Sequence, residues 1–86
     1  MKSSIKLIVS TPVEKVFDTD ITKLSTKTLL GSMEVLPGHS PMIAILQPTL
    51  TKFIDVNGKE FSFDNSKGIM KVDKDKLIIL CDHVNI

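Results

Sequence analysis

The chain reads Leu36-Pro37-Gly38-His39-Ser40-Pro41 between two apolar segments, residues 30–35 and 42–46. Two prolines and a glycine within five residues restrict the backbone dihedrals and remove two N–H donors. The stretch is therefore predicted to be a shaped, non-repeating loop between two strands. Residues 42–46 are also compatible with a helix, but their shortness and their position between prolines favour a strand. We expect a rigid loop with His39 at its tip.

Outward from this loop, the chain is rich in Thr, Val, Ile and Phe and contains a single alanine, which favours strands over helices. Residues 5–10 are predicted to form a strand that ends before Pro12. A second extended piece is expected to begin at Val13 and to break near Asp18-Thr19-Asp20. Residues 21–26 then alternate with period two, the pattern of a sheet with one face in water.

The second half of the chain contains the best hairpin signal. Asn57-Gly58 lies between two strand-like segments, residues 49–56 and 59–63, and predicts a type I′ turn because that turn needs positive φ at both central positions. Residues 68–72 are a further predicted strand. The unbroken run Leu77-Ile78-Ile79-Leu80 predicts a strand that is buried on both sides.

These strands predict the fold class. Short strands at spacings of about 8–12 residues are typical of a sandwich or a barrel. We predict an all-β fold, a small two-sheet antiparallel β-sandwich of about 8–10 short strands. A chain of 86 residues has room for one core, so residues 1–86 are predicted to be a single domain.

Composition excludes several function classes. The 11 basic and 10 acidic side chains are nearly balanced, which argues against a nucleic-acid binder. The lone Cys81 has no internal disulfide partner, and a reducing compartment is its natural interpretation. No apolar run approaches the roughly 20 residues that a membrane-spanning helix needs, and the N-terminus lacks the apolar core of a signal peptide. The protein is expected to be soluble, or peripheral through a partner.

Few residues point to chemistry. His39 has no accompanying triad signature, so a ring that hydrogen-bonds loop backbone is favoured over a general base. Cys81-Asp82-His83 offers at most two side chains on one side of a strand, too few for a closed zinc site, and no metal is expected. No Gly-rich phosphate loop is present. The lysines near the C-terminus, mixed with Asp73 and Asp75, are interpreted as a solvated turn: Lys67, Lys71, Lys74 and Lys76.

Several motifs, in one order along nearly the whole chain, resemble the N-terminal β-sandwich domain of the F-type ATP synthase epsilon subunit (delta in mitochondrial naming). The family's Gly-Glu-x-Gly-Ile-Leu-Pro-Gly-His-Ala-Pro-Leu motif is matched by residues 31–42, Gly31-Ser32-Met33-Glu34-Val35-Leu36-Pro37-Gly38-His39-Ser40-Pro41-Met42. The opening Thr-Pro break and Val-Phe stretch are matched within residues 7–18, a glycine-containing strand by residues 67–72, and the closing strand by residues 76–82.

The chain also departs from that pattern. The family's loop glutamate, which is associated with contact to the membrane ring, is Ser32 here, the second motif glycine is Glu34, and one glycine of a later pair is Lys67. Family members usually continue into an Ala-rich helical hairpin that can inhibit ATP hydrolysis and, in some, bind ATP. Nothing after Asp82 has that composition. The hairpin is expected to be naturally absent or removed, and its inhibition and ATP binding to be absent from this polypeptide.

The resemblance implies a non-catalytic central-stalk (rotor) subunit of a proton- or sodium-translocating rotary ATP synthase. Such a subunit links the gamma subunit to the c-ring and couples ion flow through the ring to ATP synthesis. It would lie peripherally on the cytoplasmic face of the bacterial plasma membrane, or on the equivalent organelle face, and would need no cofactor. The partner-facing residues are expected at one end of the sandwich: Ser32, His39, Ser40 and Met42, with Ser10 nearby by family analogy.

Two other functions compete with this one. A standalone β-sandwich that binds a peptide or small ligand would use an open sheet edge rather than the loop end. An enzyme would require a turnover that is lost on His39→Ala, and no intrinsic turnover is expected.

Overall fold

A computed structural model describes residues 3–86, which form strands and no helix. Nine strands follow one another with short connections, and each is bounded by a proline, a glycine or a polar turn. In chain order they are β1 (Ile5–Ser10), β2 (Lys15–Thr28), β3 (Gly31–Val35), β4 (Met42–Leu46), β5 (Thr49–Asp55), β6 (Glu60–Asn65), β7 (Gly68–Val72), β8 (Lys76–Cys81) and β9 (Val84–Asn85).

The strands form two packed layers. The first sheet has the order β2 (residues 15–21), β1, β8, β7, β4, and the second sheet has the order β3, β2 (residues 24–28), β5, β6, β9. Because β2 belongs to both sheets, backbone hydrogen bonds connect all nine strands into one continuous set. The all-β sandwich prediction is confirmed. One pairing was not indicated by the sequence: β1 and β8 run parallel, with Leu7 opposite Leu77.

Strand β2 passes from one sheet to the other at an irregularity. Its pairing with β5 shifts between Ile21 and Lys23, so Thr22 is an extra residue in the ladder. The Thr22 hydroxyl donates a hydrogen bond to the Ile54 carbonyl at 3.3 Å, which holds the irregular segment against β5. Such bulges bend a strand and increase its twist, which is what a strand shared by two layers requires.

The predicted break near Asp18–Asp20 is wrong, because β2 is continuous there. Asp18 pairs with Ile8 and Asp20 pairs with Lys6 in the antiparallel ladder with β1. The Asp18 carboxylate accepts from Lys15 at 2.9 Å and lies 3.5 Å from the Lys6 ammonium. Two aspartates disfavour a strand by local preference, but Lys6 across the ladder and Lys15 on β2 itself place positive charge beside them on its solvent face.

The predicted hairpin is present, but the predicted turn type is wrong. Ile54 pairs with Glu60, and the Gly58 N–H donates to the Asp55 carbonyl at 3.1 Å. Gly58 has φ of 82°, whereas Asn57 does not have positive φ, so a type I turn followed by a glycine bulge replaces type I′. The Asp55 carboxylate accepts the N–H groups of Asn57 and Lys59, both at 2.9 Å, and this side-chain bonding stabilises the three-residue loop.

Burial along β8 also differs from the prediction. Leu77 and Ile79 are fully buried, but Leu80 is 52% exposed, so β8 alternates instead of being buried on both sides. The predicted strand over residues 42–46 is confirmed as β4, and its side chains alternate in the same way. Both apolar strands lie in the first sheet, whose outer surface carries the exposed members of the two runs.

The core lies between the two sheets and is filled by one alternate set of side chains from each strand. Phe17 from the first sheet reaches the phenylalanines of the second, with its ring centroid 5.0 Å from that of Phe53 in an edge-to-face contact. Phe53 and Phe61 stack at 5.0 Å. The fully buried larger side chains are Phe53, Phe63, Leu7, Ile21, Leu24, Leu46, Met70, Leu77, Ile79, Val9, Val35 and Val72.

A chain of polar groups is buried at one end of this core. The Thr51 hydroxyl donates to Asn65 Oδ1 at 2.6 Å and therefore accepts from the Thr26 hydroxyl at 2.8 Å. Asn65 Nδ2 donates to the Gln47 carbonyl at 3.2 Å, and Gln47 Nε2 donates to the Thr28 carbonyl at 2.7 Å. The chain joins β2, β5 and β6 to the β4–β5 connection. No buried side-chain nitrogen or oxygen of the described residues lacks a hydrogen-bond partner.

Candidate functional site

The loop between β3 and β4 is preshaped by a β-turn over Leu36–His39. The His39 N–H donates to the Leu36 carbonyl at 3.0 Å. Pro37 occupies the second turn position and Gly38, with φ of 86°, the third, which is the residue pattern of a type II turn. The predicted shaped loop is thus confirmed.

The side chain of His39 is used within the loop. Its Nδ1 lies 2.7 Å from the Ser40 carbonyl oxygen, and because a carbonyl only accepts, this bond places a proton on Nδ1. The ring is half-buried, whereas Ser40 is exposed. The predicted hydrogen bond between the ring and loop backbone is present, and it holds the loop tip in one conformation.

The five residues predicted to contact partners lie at two ends of the sandwich. His39, Ser40 and Met42 are together, because Met42 begins β4 opposite Val72. Ser10 is at the other end of the first sheet, at the level of Leu80, Ile69 and Ile45. Ile45, which marks this level on β4, is three residues from Met42, a distance of about 10 Å along the strand.

Ser32 lies with Ser10 rather than with the loop. It pairs with Lys27, one residue from the Thr28–Leu46 pairing that marks the far end of β4. The expectation that all five residues share one end is therefore wrong. The physical reason is that β3 separates Ser32, near its start, from the loop that follows its end.

Ser10 and Ser32 each line a shallow depression. Ser32 borders one of about 400 Å³ on the second sheet, together with Lys27 and Glu34. Ser10 borders one of about 370 Å³ with Ile69 and Leu80. Neither depression encloses a ligand-sized volume among converging polar groups, and a broad contact suits both better than a small-molecule site does.

Sequence reasoning missed an apolar surface on the first sheet, called the apolar face from here on. Its central residues are Ile43 (70% exposed), Ile45 (45%), Ile69 (50%) and Leu80 (52%). Ile45 pairs with Ile69 and Ile69 pairs with Leu80, so three of the four form one row across β4, β7 and β8. The available signals were the apolar runs of β4 and β8, and only the run in β8 is predicted from its pattern to be buried on both sides.

A groove adjoins the apolar face at β4. It has a volume of about 280 Å³ and is lined by Leu29 and Leu30 together with residues 42–45. Leu30 is fully exposed and Leu29 is more than half exposed. The exposed apolar surface therefore continues past the edge strand onto the β2–β3 connection.

The outer surface of the second sheet, called the polar face, has the opposite character. Lys23 and Glu34 form a cross-strand ion pair at 3.2 Å. Its other outward residues are mainly lysine, serine and acidic side chains, among them Ser25, Lys27, Lys52, Ser62 and Asp64. The outer surface of the second sheet is thus mainly polar, although it also exposes Leu50, and the first sheet combines its exposed apolar side chains with the Lys6–Asp18 ion pair.

The structure shifts the pKa values of Asp18 and Cys81. The hydrogen bond from Lys15, opposed by some desolvation, together with the Lys6 charge lowers the pKa of Asp18. Burial raises the pKa of the Cys81 thiol, whose Sγ lies 3.5 Å from the His83 carbonyl. Asp82 and His83 are exposed, and within residues 3–86 no three histidine, cysteine or acidic side chains are grouped as metal ligands would be.

Residues 3–86 contain no helix with the length and apolar character that a membrane-spanning helix needs. The four lysines near the C-terminus are all exposed, as predicted: Lys67, Lys71, Lys74 and Lys76. They do not form one turn, however, because Lys71 lies in β7 and Lys76 begins β8.

Comparison with known proteins identifies relatives over nearly the whole chain. Residues 4–85 match the family model described as the ATP synthase delta/epsilon chain, beta-sandwich domain. ATP synthase epsilon chains of Clostridium botulinum and Clostridium novyi are each 39% identical to it over 82 residues, or 95% of this chain. The chain spans 62% and 63% of the length of these two relatives.

Two solved structures share the fold. A chain of the mitochondrial ATP synthase of Euglena gracilis, in an OSCP/F1/c-ring structure, superposes with a TM-score of 0.91 at 21% identity, covering 98% of this chain and 54% of that one. A chain of the central stalk and c-ring structure of the Tetrahymena thermophila mitochondrial ATP synthase gives a TM-score of 0.77 at 18% identity, covering 96% and 66%.

Proposed function

Because this chain belongs to the delta/epsilon chain family of ATP synthase, as the match of residues 4–85 to its β-sandwich domain shows, we propose that it is a non-catalytic subunit of the central stalk. It links the gamma subunit to the c-ring of a proton- or sodium-translocating synthase and thereby couples ion flow to ATP synthesis. In that position it is peripheral to the membrane, on the cytoplasmic face in a bacterium or on the equivalent organelle face.

The family match carries this proposal, and the build of the molecule supports it. Torque between two partners must pass through a body that does not shear. Two sheets that share β2, with a close-packed core between them, resist sliding because any shear breaks backbone hydrogen bonds and core contacts together.

Residues at the two ends of the sandwich suit two partners. The resemblance associates the position of Ser32 with the membrane ring, so we assign the end that carries Ser10 and Ser32 to the c-ring. The opposite end, with His39, Ser40 and Met42 on a preshaped loop, is then assigned to the gamma subunit. One rigid body with a contact at each end is what a linking subunit requires.

Reconstitution of the synthase in vesicles, with and without this chain, tests the proposal. With the chain present, ATP hydrolysis should drive ion pumping, measured by a pH-sensitive or sodium-sensitive dye inside the vesicles. Without it, hydrolysis should continue while pumping is lost. Equal pumping per ATP hydrolysed in both preparations would contradict the proposal.

A matched pair of variants tests the assignment of Ser32. Ser32→Arg should reduce retention of the c-ring by the stalk complex, because a bulky charge would stand in the contact. Ser62→Arg, a serine on the polar face away from that end, should leave retention unchanged. Equal retention by both variants would remove Ser32 from the ring contact.

A further inference from the structure

The tip of the β5–β6 hairpin carries the one Asn-Gly pair of the sequence, Asn57-Gly58. Asparagine is a chemically labile residue, and its deamidation begins at the backbone nitrogen of the next residue. Glycine has no side chain to shield that nitrogen, and at Gly58 no atom beyond its chain neighbours lies within 4 Å of the place a Cβ would take. Asn57 is exposed, and its side-chain amide makes no hydrogen bond with any residue of the described part of the chain. The pair is therefore accessible to this reaction.

Deamidation exchanges ammonia for water. Hydroxide removes the Gly58 N–H proton, the nitrogen forms a bond to Asn57 Cγ, and the side-chain nitrogen leaves as ammonia. Water then opens the cyclic succinimide at either of its carbonyl groups, which leaves aspartate or isoaspartate in place of Asn57. In isoaspartate the backbone runs through the former side chain, so it is longer by a methylene group.

The observed turn holds the nucleophile of this reaction. The Gly58 N–H, which has to lose its proton, donates to the Asp55 carbonyl at 3.1 Å. The Asp55 carboxylate accepts from the N–H groups on both sides of Gly58, those of Asn57 and Lys59, each at 2.9 Å. Because like charges repel, this carboxylate also opposes formation of a second anion at the neighbouring Gly58 nitrogen. The folded turn therefore disfavours the first step.

We propose that Asn57 is a deamidation site that the Asp55 hydrogen bonds keep unreactive: Gly58 attacks when the hairpin tip opens, and not from the folded turn. This opening is local, because residues 56–60 are all exposed and the core contacts of the two strands begin at Phe53 and Phe61. Segments with few buried contacts open at a lower free-energy cost than the whole domain. Opening of the tip therefore sets the rate in the native protein.

The isoaspartate product does not fit the same turn. Its additional methylene changes the spacing between the N–H of residue 57 and that of Lys59, so the Asp55 carboxylate no longer accepts from both in the present geometry. Either product also places a new carboxylate beside Asp55, and like charges repel. The modified tip is therefore less well held than the original one.

The modification changes a particular end of the sandwich. Strands β3 and β5 run in the same direction, since both are antiparallel to β2, and Val35 and Phe53 are both paired with Leu24. The tip that follows β5 is thus at the same end as the loop that follows β3. Deamidation of Asn57 adds negative charge at the end that carries His39.

The chain contains two internal controls. Asn65 is followed by the small residue Ser66, but it is only 4% exposed and its Oδ1 accepts from the Thr51 hydroxyl at 2.6 Å. Its reaction requires unfolding of the core. Asn85 is followed by Ile86, whose β-branched side chain shields the backbone nitrogen in any state of the chain.

The experiment follows deamidation of the purified full chain at mildly alkaline pH, native and in guanidinium chloride. Trypsin cleaves after lysine and places the three asparagines on separate peptides, residues 53–59, 60–67 and 77–86. Mass spectrometry measures the exchange of NH₂ for OH in each peptide, and enzymatic methylation of isoaspartate distinguishes the products. Asn57 should react at least about tenfold more slowly in the native protein than in the unfolded one, and Asn65 only in the unfolded one.

Asp55→Ala tests the role of the carboxylate, and Glu60→Ala is its matched control. Asp55→Ala removes both side-chain hydrogen bonds and should speed native deamidation of Asn57 about fivefold or more, with Asn65 still intact. Glu60 is an exposed carboxylate at the edge of the same loop and makes no ion pair or side-chain hydrogen bond with a described residue. Glu60→Ala should therefore change the rate less than about twofold.

Four results would overturn the inference. If Asn57 stayed intact even in guanidinium chloride, there would be no deamidation site. Equal rates in the native and unfolded wild type, a comparison that does not depend on the folding of any variant, would show that the turn gives no protection. Equal acceleration by Asp55→Ala and Glu60→Ala would remove the hydrogen bonds as its cause. Joint acceleration of Asn57 and Asn65 by Asp55→Ala would show that unfolding of the domain, and not opening of the tip, sets the native rate.

Discussion

Thr51 occupies the middle of the buried polar chain, where it donates to Asn65 and accepts from Thr26. A hydroxyl in this position links strands that local sequence does not relate. Removing this hydroxyl is costly, because Asn65 Oδ1 and the Thr26 hydroxyl would stay buried without their hydrogen bonds to it.

Thr51→Val keeps the side-chain shape and deletes the hydroxyl, so it should lower the free energy of unfolding by about 1–3 kcal/mol. Urea unfolding followed by circular dichroism measures the change. Thr49→Val, two residues earlier on the same strand and only half-buried, is the matched control and should alter stability by less than about 0.5 kcal/mol. Equal effects would show that the hydroxyl chain contributes nothing specific.

Cys81 is buried, and desolvation raises the pKa of its thiol above the ordinary value. We expect iodoacetamide to alkylate the native protein at least about tenfold more slowly than the urea-unfolded protein, since the thiolate is the nucleophile. The pH at which the alkylation rate reaches half of its maximum should also be higher in the native protein than in the unfolded protein. Because that state holds the proton more tightly, the thiol's contribution to stability is complete below its ordinary pKa and is lost as pH rises through the native one. Mass spectrometry gives both rates, and equal rates would contradict the burial.

The β5–β6 hairpin shows how an element departs from its sequence signal. Asn-Gly is the preferred pair of a type I′ turn, but the Asp55 carboxylate accepts two backbone N–H groups within this loop. A three-residue loop with one positive φ satisfies those donors. The hairpin was therefore predictable, whereas its turn type depended on a side chain outside the dipeptide.

The two turn types predict different losses of stability when Asn57 and Gly58 are mutated. Gly58→Ala should cost about 1–2 kcal/mol because a Cβ is strained at φ of 82°. Asn57→Ala should cost less than about 0.5 kcal/mol, since Asn57 does not have positive φ. In a type I′ turn both substitutions would be costly. Thermal unfolding of the two variants distinguishes the cases, and a large loss in Asn57→Ala would contradict the observed turn.

Strands β4 and β8 carry the second departure. Each is an apolar run, and the run in β8 is predicted to be buried on both sides, but both strands alternate between buried and exposed side chains. The outward side chains of these runs, among them Ile43, Ile45 and Leu80, are exposed. An apolar run is therefore compatible with a strand that has one exposed face as well as with a strand buried on both faces.

Across the whole molecule, β2 joins the two sheets through a single strand of 14 residues. Neither sheet buries its inner surface without the other, and the pairings of β2 with β1, β3 and β5 share the same backbone. The two layers are consequently expected to lose their structure together.

Urea unfolding should be a single transition, with backbone amides of Leu7 in the first sheet and Phe53 in the second losing native NMR intensity at the same urea concentration. Both residues are fully buried, so their amides report on the core and not on local fraying. Separate midpoints for the two amides would show that the sheets unfold independently.

Local pattern was enough to predict strands, the hairpin, the loop over residues 36–41 and the all-β sandwich class, because alternation, proline and glycine act over a few neighbouring residues. It also carried the family resemblance through the motif at residues 31–42. The continuity of β2, the parallel pairing of β1 with β8, and the separation of Ser10 and Ser32 from His39 were not predictable in this way. They depend on which distant strands become neighbours, and that choice is made by packing of the whole core, which no short window of sequence contains.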